Sequence, residues 1–156
     1  MERAHNLPPP PRDPGRWYQG WPVPFTILWP DYPEGKPDWT TADPIRHRRC
    51  LDLHLCGVCG QKLDIHNIVF IGGCHGLDPL GPGKDAVAFF DPPMHEECAK
   101  YSAEVCPYLG VGRVRADLGD SGVQYLWYAD GILRLNRELT RFRTLKKVVT
   151  LEKTKP

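Results

Sequence analysis

A chain of 156 residues with 20 Lys+Arg against 19 Asp+Glu has a formal net charge of +1, which excludes a polybasic nucleic-acid wrapper and an acidic tail. Its 41% hydrophobic content and five Trp exclude global disorder, and its 17 Pro, about twice the usual ~5% share, exclude a helical bundle or coiled coil. The length suits one domain, or one domain with an arm, which buries roughly 70% of the surface its unfolded chain exposes.

The first residues show no apolar signal core. The longest apolar stretches, around residues 25–29 and 68–71, fall far short of the ~20 residues a bilayer needs, so the expectation is a soluble, cytoplasmic chain. Eleven of the 17 Pro and four of the five Trp precede residue 45. The four prolines at 8–11 favour a polyproline II stretch without internal hydrogen bonds. Trp17, Trp21, Phe25, Trp29, Tyr32 and Trp39 are too apolar to leave in water. Residues 1–43 therefore read as an extended Pro/Trp-rich arm that packs on the domain, with a short strand at 25–29. A Pro/aromatic ligand for a partner module is the alternative.

Asp43-Pro44 has the form of a helix start, Asp as N-cap and Pro at the first helical position. A helix from 44 to about 54 sets Ile45, Arg48, Arg49, Asp52 and Leu55 along one flank, although the alternation of Leu51, Leu53 and Leu55 also suits a strand. Residues 63–71 and 86–90 are β-prone, and the turn-rich run 72–83 between them predicts a hairpin with a long loop. Asp91-Pro92-Pro93 begins a second helix over 94–105, with Met94, Cys98, Tyr101 and Val105 on one stripe and Cys106-Pro107 as its stop. Beyond 112, Val114, 123–128 and 132–135 are short strand candidates, the last two joined by a turn at Ala129-Asp130-Gly131. Residues 139–151 suit either a basic helix or a last strand.

The chemistry concentrates in two half-sites. Cys56-Gly57-Val58-Cys59-Gly60 offers two thiolates from a tight turn, a zinc knuckle, although a Cys-x-x-Cys alone is equally a redox pair. His95-Glu96-Glu97-Cys98 supplies the second half, because residues at i and i+3 share a helix face. Knuckle, β-hairpin and a helix with ligands in its first turn make a treble clef. Cys56, Cys59, His95 and Cys98 are thus the expected metal ligands of one structural Zn²⁺, with no position left open for catalysis. The fold class expected is α+β: a treble-clef zinc domain over 44–112, additional short strands, and a β-rich extension with a basic tail over 113–156.

The Cys-x-x-Cys-Gly motif, Pro92-Pro93-x-His95-x-x-Cys98-Ala99 and the later Cys106-Pro107 together resemble a group of small uncharacterised actinobacterial and actinophage proteins, over residues 20–110. The position matching His95 is usually Cys in that group, so this chain departs there. The resemblance implies a treble-clef zinc domain and no particular activity.

Cys50, His54, Cys74 and His75 are candidates for a second metal site, but adjacent Cys-His is poor ligand spacing, and no disulfide is expected. Residues 131–156 carry eight basic and two acidic side chains, net +6, while 1–130 carry twelve and seventeen, net −5. The reading that follows is a non-enzymatic zinc module binding a protein or a nucleic acid, such as a phage-type regulator acting on a host factor. Its contacts are Arg46, Arg48, Arg49, Arg134, Arg137, Arg141, Arg143, Lys146 and Lys147, with no membrane and no small-molecule substrate. The alternative is a ββα-metal nuclease of HNH type using His66, from Asp64-Ile65-His66-Asn67 on the strand after the knuckle. The segment after Cys98 lacks the further His or Asn such a site needs.

Overall fold

A computed structural model describes residues 6–64, 66–73, 87–89, 91–106, 124–130, 134–136, 139–142 and 144–150. The chain enters through a Pro-rich segment and turns at once into β1 (Trp17–Tyr18) and β2 (Trp21–Pro22). Gln19 and Gly20 join them with φ of 49° and 80°, the two left-handed positions that a tight two-residue hairpin requires. β3 (Ile27–Leu28) then pairs antiparallel with β4 (Asp38–Ala42). The strand expected at 25–29 is therefore real but only two residues long.

Arg16 holds these small pieces together. It is 5% exposed, and its terminal nitrogen Nη2 donates to the carbonyls of Pro24, Phe25 and Ile27. Short strands leave backbone acceptors unpaired, and a buried guanidinium satisfies several of them at once. Burial pulls the Arg16 pKa down, and the Tyr32 ring, 6.0 Å from the guanidinium carbon, faces it. Trp29 is buried between Tyr18 and Tyr32 in two edge-to-face contacts, and its indole N–H donates to the Glu34 carbonyl at 2.7 Å.

Asp43 caps α1 (Pro44–Leu53), its side chain accepting from the backbone N–H groups of Ile45 and Arg46 at 2.9 and 3.3 Å. The cap decides the ambiguous stretch for helix. His54, at φ 53°, ends α1 in the left-handed conformation. Cys50 is the buried residue of this helix, and Ile45 and Leu53 face solvent at 73% and 47% exposure.

After the knuckle come β5 (Ile68–Gly73), β6 (Val87–Phe89), α2 (Glu96–Val105), β7 (Gln124–Asp130), β8 (Arg134–Asn136), β9 (Leu139–Phe142) and β10 (Thr144–Thr150). They form two three-stranded antiparallel sheets, ordered β10-β7-β5 and β6-β9-β8. Two expectations change here, and one open alternative is decided. β5 and β6 do not pair: β5 lies against β7, with Ile68 opposite Ala129 and Ile71 opposite Leu126, while β6 lies against β9. β7 and β8 likewise fall in different sheets and are not paired as a hairpin. Residues 139–151 supply strands rather than a basic helix, with a bulge between Leu145 and Lys147. Val114 and most of the loop at 72–83 lie outside the described residues.

The core lies where β5 meets α2 and the knuckle. Ile68, Val69, Phe70 and Ile71 are all buried, together with Leu63, Met94, Ala99, Ala103 and Leu126. A strand apolar at every position needs cover on both faces. β7 lies on one edge of β5, and on the other Val69 and Met94 exchange backbone hydrogen bonds of 3.0 and 2.8 Å. The chain is an α+β protein with small sheets. No helix among the described residues is long and apolar enough to cross a membrane.

Candidate metal centre

The knuckle is a turn locked from both sides. Cys56 N–H donates to the Gln61 carbonyl at 2.8 Å and Gly60 N–H to the Cys56 carbonyl at 2.9 Å. Gly60 has φ 74°, and the Phe25 ring lies where a side chain would go: an added Cβ would stand 2.5 Å from Phe25 Cδ2. Glycine is required there by both backbone and space. The outer carbonyls of the turn are paired by the N-terminal segment, Phe25 N–H with Val58 O at 2.8 Å and Thr26 N–H with Gly57 O at 3.2 Å.

The helix of the second half-site begins two residues later than the sequence pattern suggests. The helix stripe expected from Met94 starts at Glu96, because both backbone groups of Met94 are spent on Val69. His95 is the N-cap of α2 and Cys98 the third residue inside it. Cap and third position still converge, and the helix N-terminus favours a thiolate at Cys98.

The Sγ atoms of Cys56, Cys59 and Cys98 and a ring nitrogen of His95 lie within 4.8 Å of one another. They are close enough to coordinate one metal ion. Cys59 Sγ and Cys98 Sγ stand 3.4 and 3.8 Å from His95 Nδ1. Metal–sulfur bonds of ~2.3 Å and metal–nitrogen bonds of ~2.0 Å in a tetrahedron give edges of about 3.5–3.8 Å, the range in which these two sulfur–nitrogen separations fall to within about 0.1 Å. His95 Nε2 lies 3.1 Å from the Lys62 carbonyl, which can only accept; the proton therefore sits on Nε2 and leaves Nδ1 free as a ligand.

The sulfurs are prepared for charge. Val58 N–H and His95 N–H both donate to Cys56 Sγ at 3.4 Å, and Gln61 N–H reaches Cys59 Sγ at 3.5 Å. Hydrogen bonds from the Cys59 and Cys98 thiols, with backbone donors behind them, hold the Cys56 thiol far below its ordinary pKa. The same contact with Cys56 raises Cys59 and Cys98, since a second and third thiolate would crowd the first. A bound dication is what lets all three ionise together.

Arg12 links the two halves from outside, its guanidinium bonded to the Glu97 carboxylate and to Gln61 Oε1, the latter at 3.1 Å. Tyr101 O–H donates to the Pro8 carbonyl at 2.9 Å one turn further along α2. Sequence reasoning did not find Arg12, Gln61 or the Lys62 carbonyl. Only the position of Gln61 and Lys62 just after Cys59 hinted at the last two.

Other candidates separate from the centre. Cys50 is fully buried, its thiol pushed up to about 12 by burial, and its Sγ lies 3.9 Å from the Cys56 carbonyl oxygen. It packs beneath the knuckle as a protonated core residue. His54 is the C-cap of α1, and Cys74 and His75 lie outside the described residues. Asp64, His66 and Asn67 are not on a strand: His66 N–H donates to Asp64 Oδ1 at 3.0 Å, on exposed residues ahead of β5. Arg46 sits over the Phe25 ring at 4.7 Å and pairs with Asp43, and Arg48 pairs with Asp52. Arg49 is exposed, with no carboxylate in ion-pair range among the described residues. Arg134 on β8 and Arg141 on β9 are register partners, Lys147 on β10 is opposite Tyr128, and Lys146 falls at the bulge. Arg137 and Arg143 lie outside the described residues. Comparison with family models, with curated proteins and with solved structures finds no match to the chain.

Proposed function

We propose that the protein is a non-enzymatic zinc-binding module of the treble-clef type, in which the metal is structural and the scaffold presents surfaces to a protein or nucleic-acid partner. One observation carries the reading: two segments 36 residues apart bring Cys56, Cys59, His95 and Cys98 donors within 4.8 Å of one another. Four protein donors leave no position for water or substrate, which is what separates a structural zinc from a catalytic one. The treble-clef form is supported by the order of parts. The knuckle is followed by β5, β5 is bridged to Met94 as the short second arm of a hairpin, and Met94 leads through His95 into α2. When bound, the metal neutralises the thiolates and cross-links knuckle to helix. The residues themselves supply the tautomer of His95, through the Lys62 carbonyl, and the backbone donors that hold the Cys56 and Cys59 sulfurs in place.

Metal content measured by mass spectrometry under non-denaturing conditions tests this. One zinc per chain in the wild type and none in Cys98→Ser is the expected result. Two metals, none, or a Cys98→Ser variant that keeps a full equivalent of zinc would overturn it.

A further inference from the structure

α1 buries little of itself. Of its ten residues Cys50 is the buried one, and the helix is held by the Asp43 cap and by Arg46 over Phe25. Isolated helices of that length are marginal in water, so a largely exposed one invites the question of what its outer face meets. Ile45, Arg49 and Leu53 recur at four-residue intervals and form one slanted stripe about 12 Å long. Both apolar members are exposed, Ile45 at 73% and Leu53 at 47%, and the Arg49 guanidinium between them has no carboxylate partner among the described residues. Beside the stripe, Arg48 grips both carboxylate oxygens of Asp52 at 3.1 and 3.0 Å.

We infer that this stripe is a docking surface for an acidic amphipathic helix of a protein partner, with two apolar anchors flanking one carboxylate that pairs with Arg49. Charge and shape select this occupant. Two exposed aliphatic side chains at the ends of the stripe contribute nothing to a phosphate backbone. A helix with apolar, acidic and apolar residues at matching spacing covers Ile45 and Leu53 and satisfies Arg49 in one contact. The inference names a partner for the binding module proposed above and rests on that reading, although α1 itself contains no ligand of the metal centre.

The test uses the full chain and two stapled helical peptides, one with Leu, Glu and Leu at successive four-residue intervals and one with Lys in place of Glu. Fluorescence anisotropy is read for both, and for a random-sequence DNA duplex. Wild type binds the Glu peptide in preference to the Lys peptide. Arg49→Glu reverses that preference, each affinity moving by about tenfold or more, and Ile45→Ser with Leu53→Ser weakens the Glu peptide by a similar factor. These side chains are exposed, so the variants fold. Failure of wild type to bind the Glu peptide, or indifference of that binding to Arg49→Glu, overturns the inference. So does duplex binding that depends on Arg49 and ignores Ile45 and Leu53. Zinc is assayed on every sample: peptide discrimination by metal-free protein would sink the zinc reading alone, and zinc-loaded protein that ignores the peptides would sink this one alone.

Discussion

Three glycines allow the knuckle's two constraints to be measured separately. Gly15 has φ 72° and nothing within 4 Å of an added Cβ, so Gly15→Ala meets backbone strain alone. Gly57 has no positive φ, but its Cβ would stand 2.7 Å from Pro92 Cγ, so Gly57→Ala meets crowding alone. Gly60 meets both, φ 74° and 2.5 Å to Phe25 Cδ2. Left-handed backbone costs alanine about 1–2 kcal/mol, and forcing a methyl into a packed site costs about 1–3 kcal/mol. The expected losses are thus about 1 kcal/mol for Gly15→Ala, about 2 for Gly57→Ala and about 3–4 for Gly60→Ala. At roughly 2–4 °C per kcal/mol for a chain of this size, Gly60→Ala lowers Tm by about 6–16 °C. Thermal unfolding followed by tryptophan fluorescence at saturating zinc reads all three, and competition with a chromophoric chelator reads whether the loss appears in metal affinity. The ordering is the discriminating result. If Gly60→Ala is no worse than Gly15→Ala, the Phe25 ring does not constrain the knuckle and the packing of the N-terminal segment against it is wrong.

Four further outcomes are expected. Cys59→Ser loses the metal equivalent, whereas Cys50→Ala keeps it and costs stability only, both read by metal content beside denaturant unfolding. Arg16→Met takes the side-chain donor from the Phe25 and Ile27 carbonyls, while Pro24 O keeps the Ile27 N–H, and costs about 2–4 kcal/mol in urea unfolding, with a change in emission as Trp29 loosens. Arg12→Ala breaks an exposed ion pair that solvent already screens, and leaves the urea unfolding midpoint nearly where it was. Burial raises the Tyr101 pKa, so the folded chain holds that proton more tightly than the unfolded one. Stability is then unaffected below the ordinary phenol range and falls as pH rises above about 10, and Tyr101→Phe flattens that alkaline limb.

Local chemistry was legible from the sequence and long-range pairing was not. Asp43-Pro44 announced α1 because cap and first turn are adjacent in the chain, and the same locality made the Cys-x-x-Cys knuckle readable. His95 and Cys98 were assigned as ligands although the helix starts after His95. The N-cap position presents its side chain toward the third helical residue, so a pattern read as helical spacing still picked two donors that lie close together. The hairpin from β5 to β6 failed for a physical reason. Both segments are short apolar strands, and which strand each one pairs with depends on residues 50 or more positions away, as Val69 opposite Tyr128 and Ala88 opposite Arg141 show. The edge of β5 that a sequence hairpin would fill is taken instead by one residue, Met94, which the helical stripe had assigned to α2. Arg16 was passed over because an isolated arginine in a Pro-rich stretch carries no pattern; its role follows only from the carbonyls gathered around it.

The pairing of Phe25 and Thr26 with the carbonyls of Val58 and Gly57 sets where the cooperative unit begins. A fragment cut just ahead of α1 would keep every ligand, yet two acceptors on the rim of the turn would lose their donors and Gly60 would lose the ring beside it. Grafting the centre into another protein therefore means carrying the stretch from Arg16 with it, and deletions from the N-terminal side should be tolerated up to that residue and abruptly not beyond it.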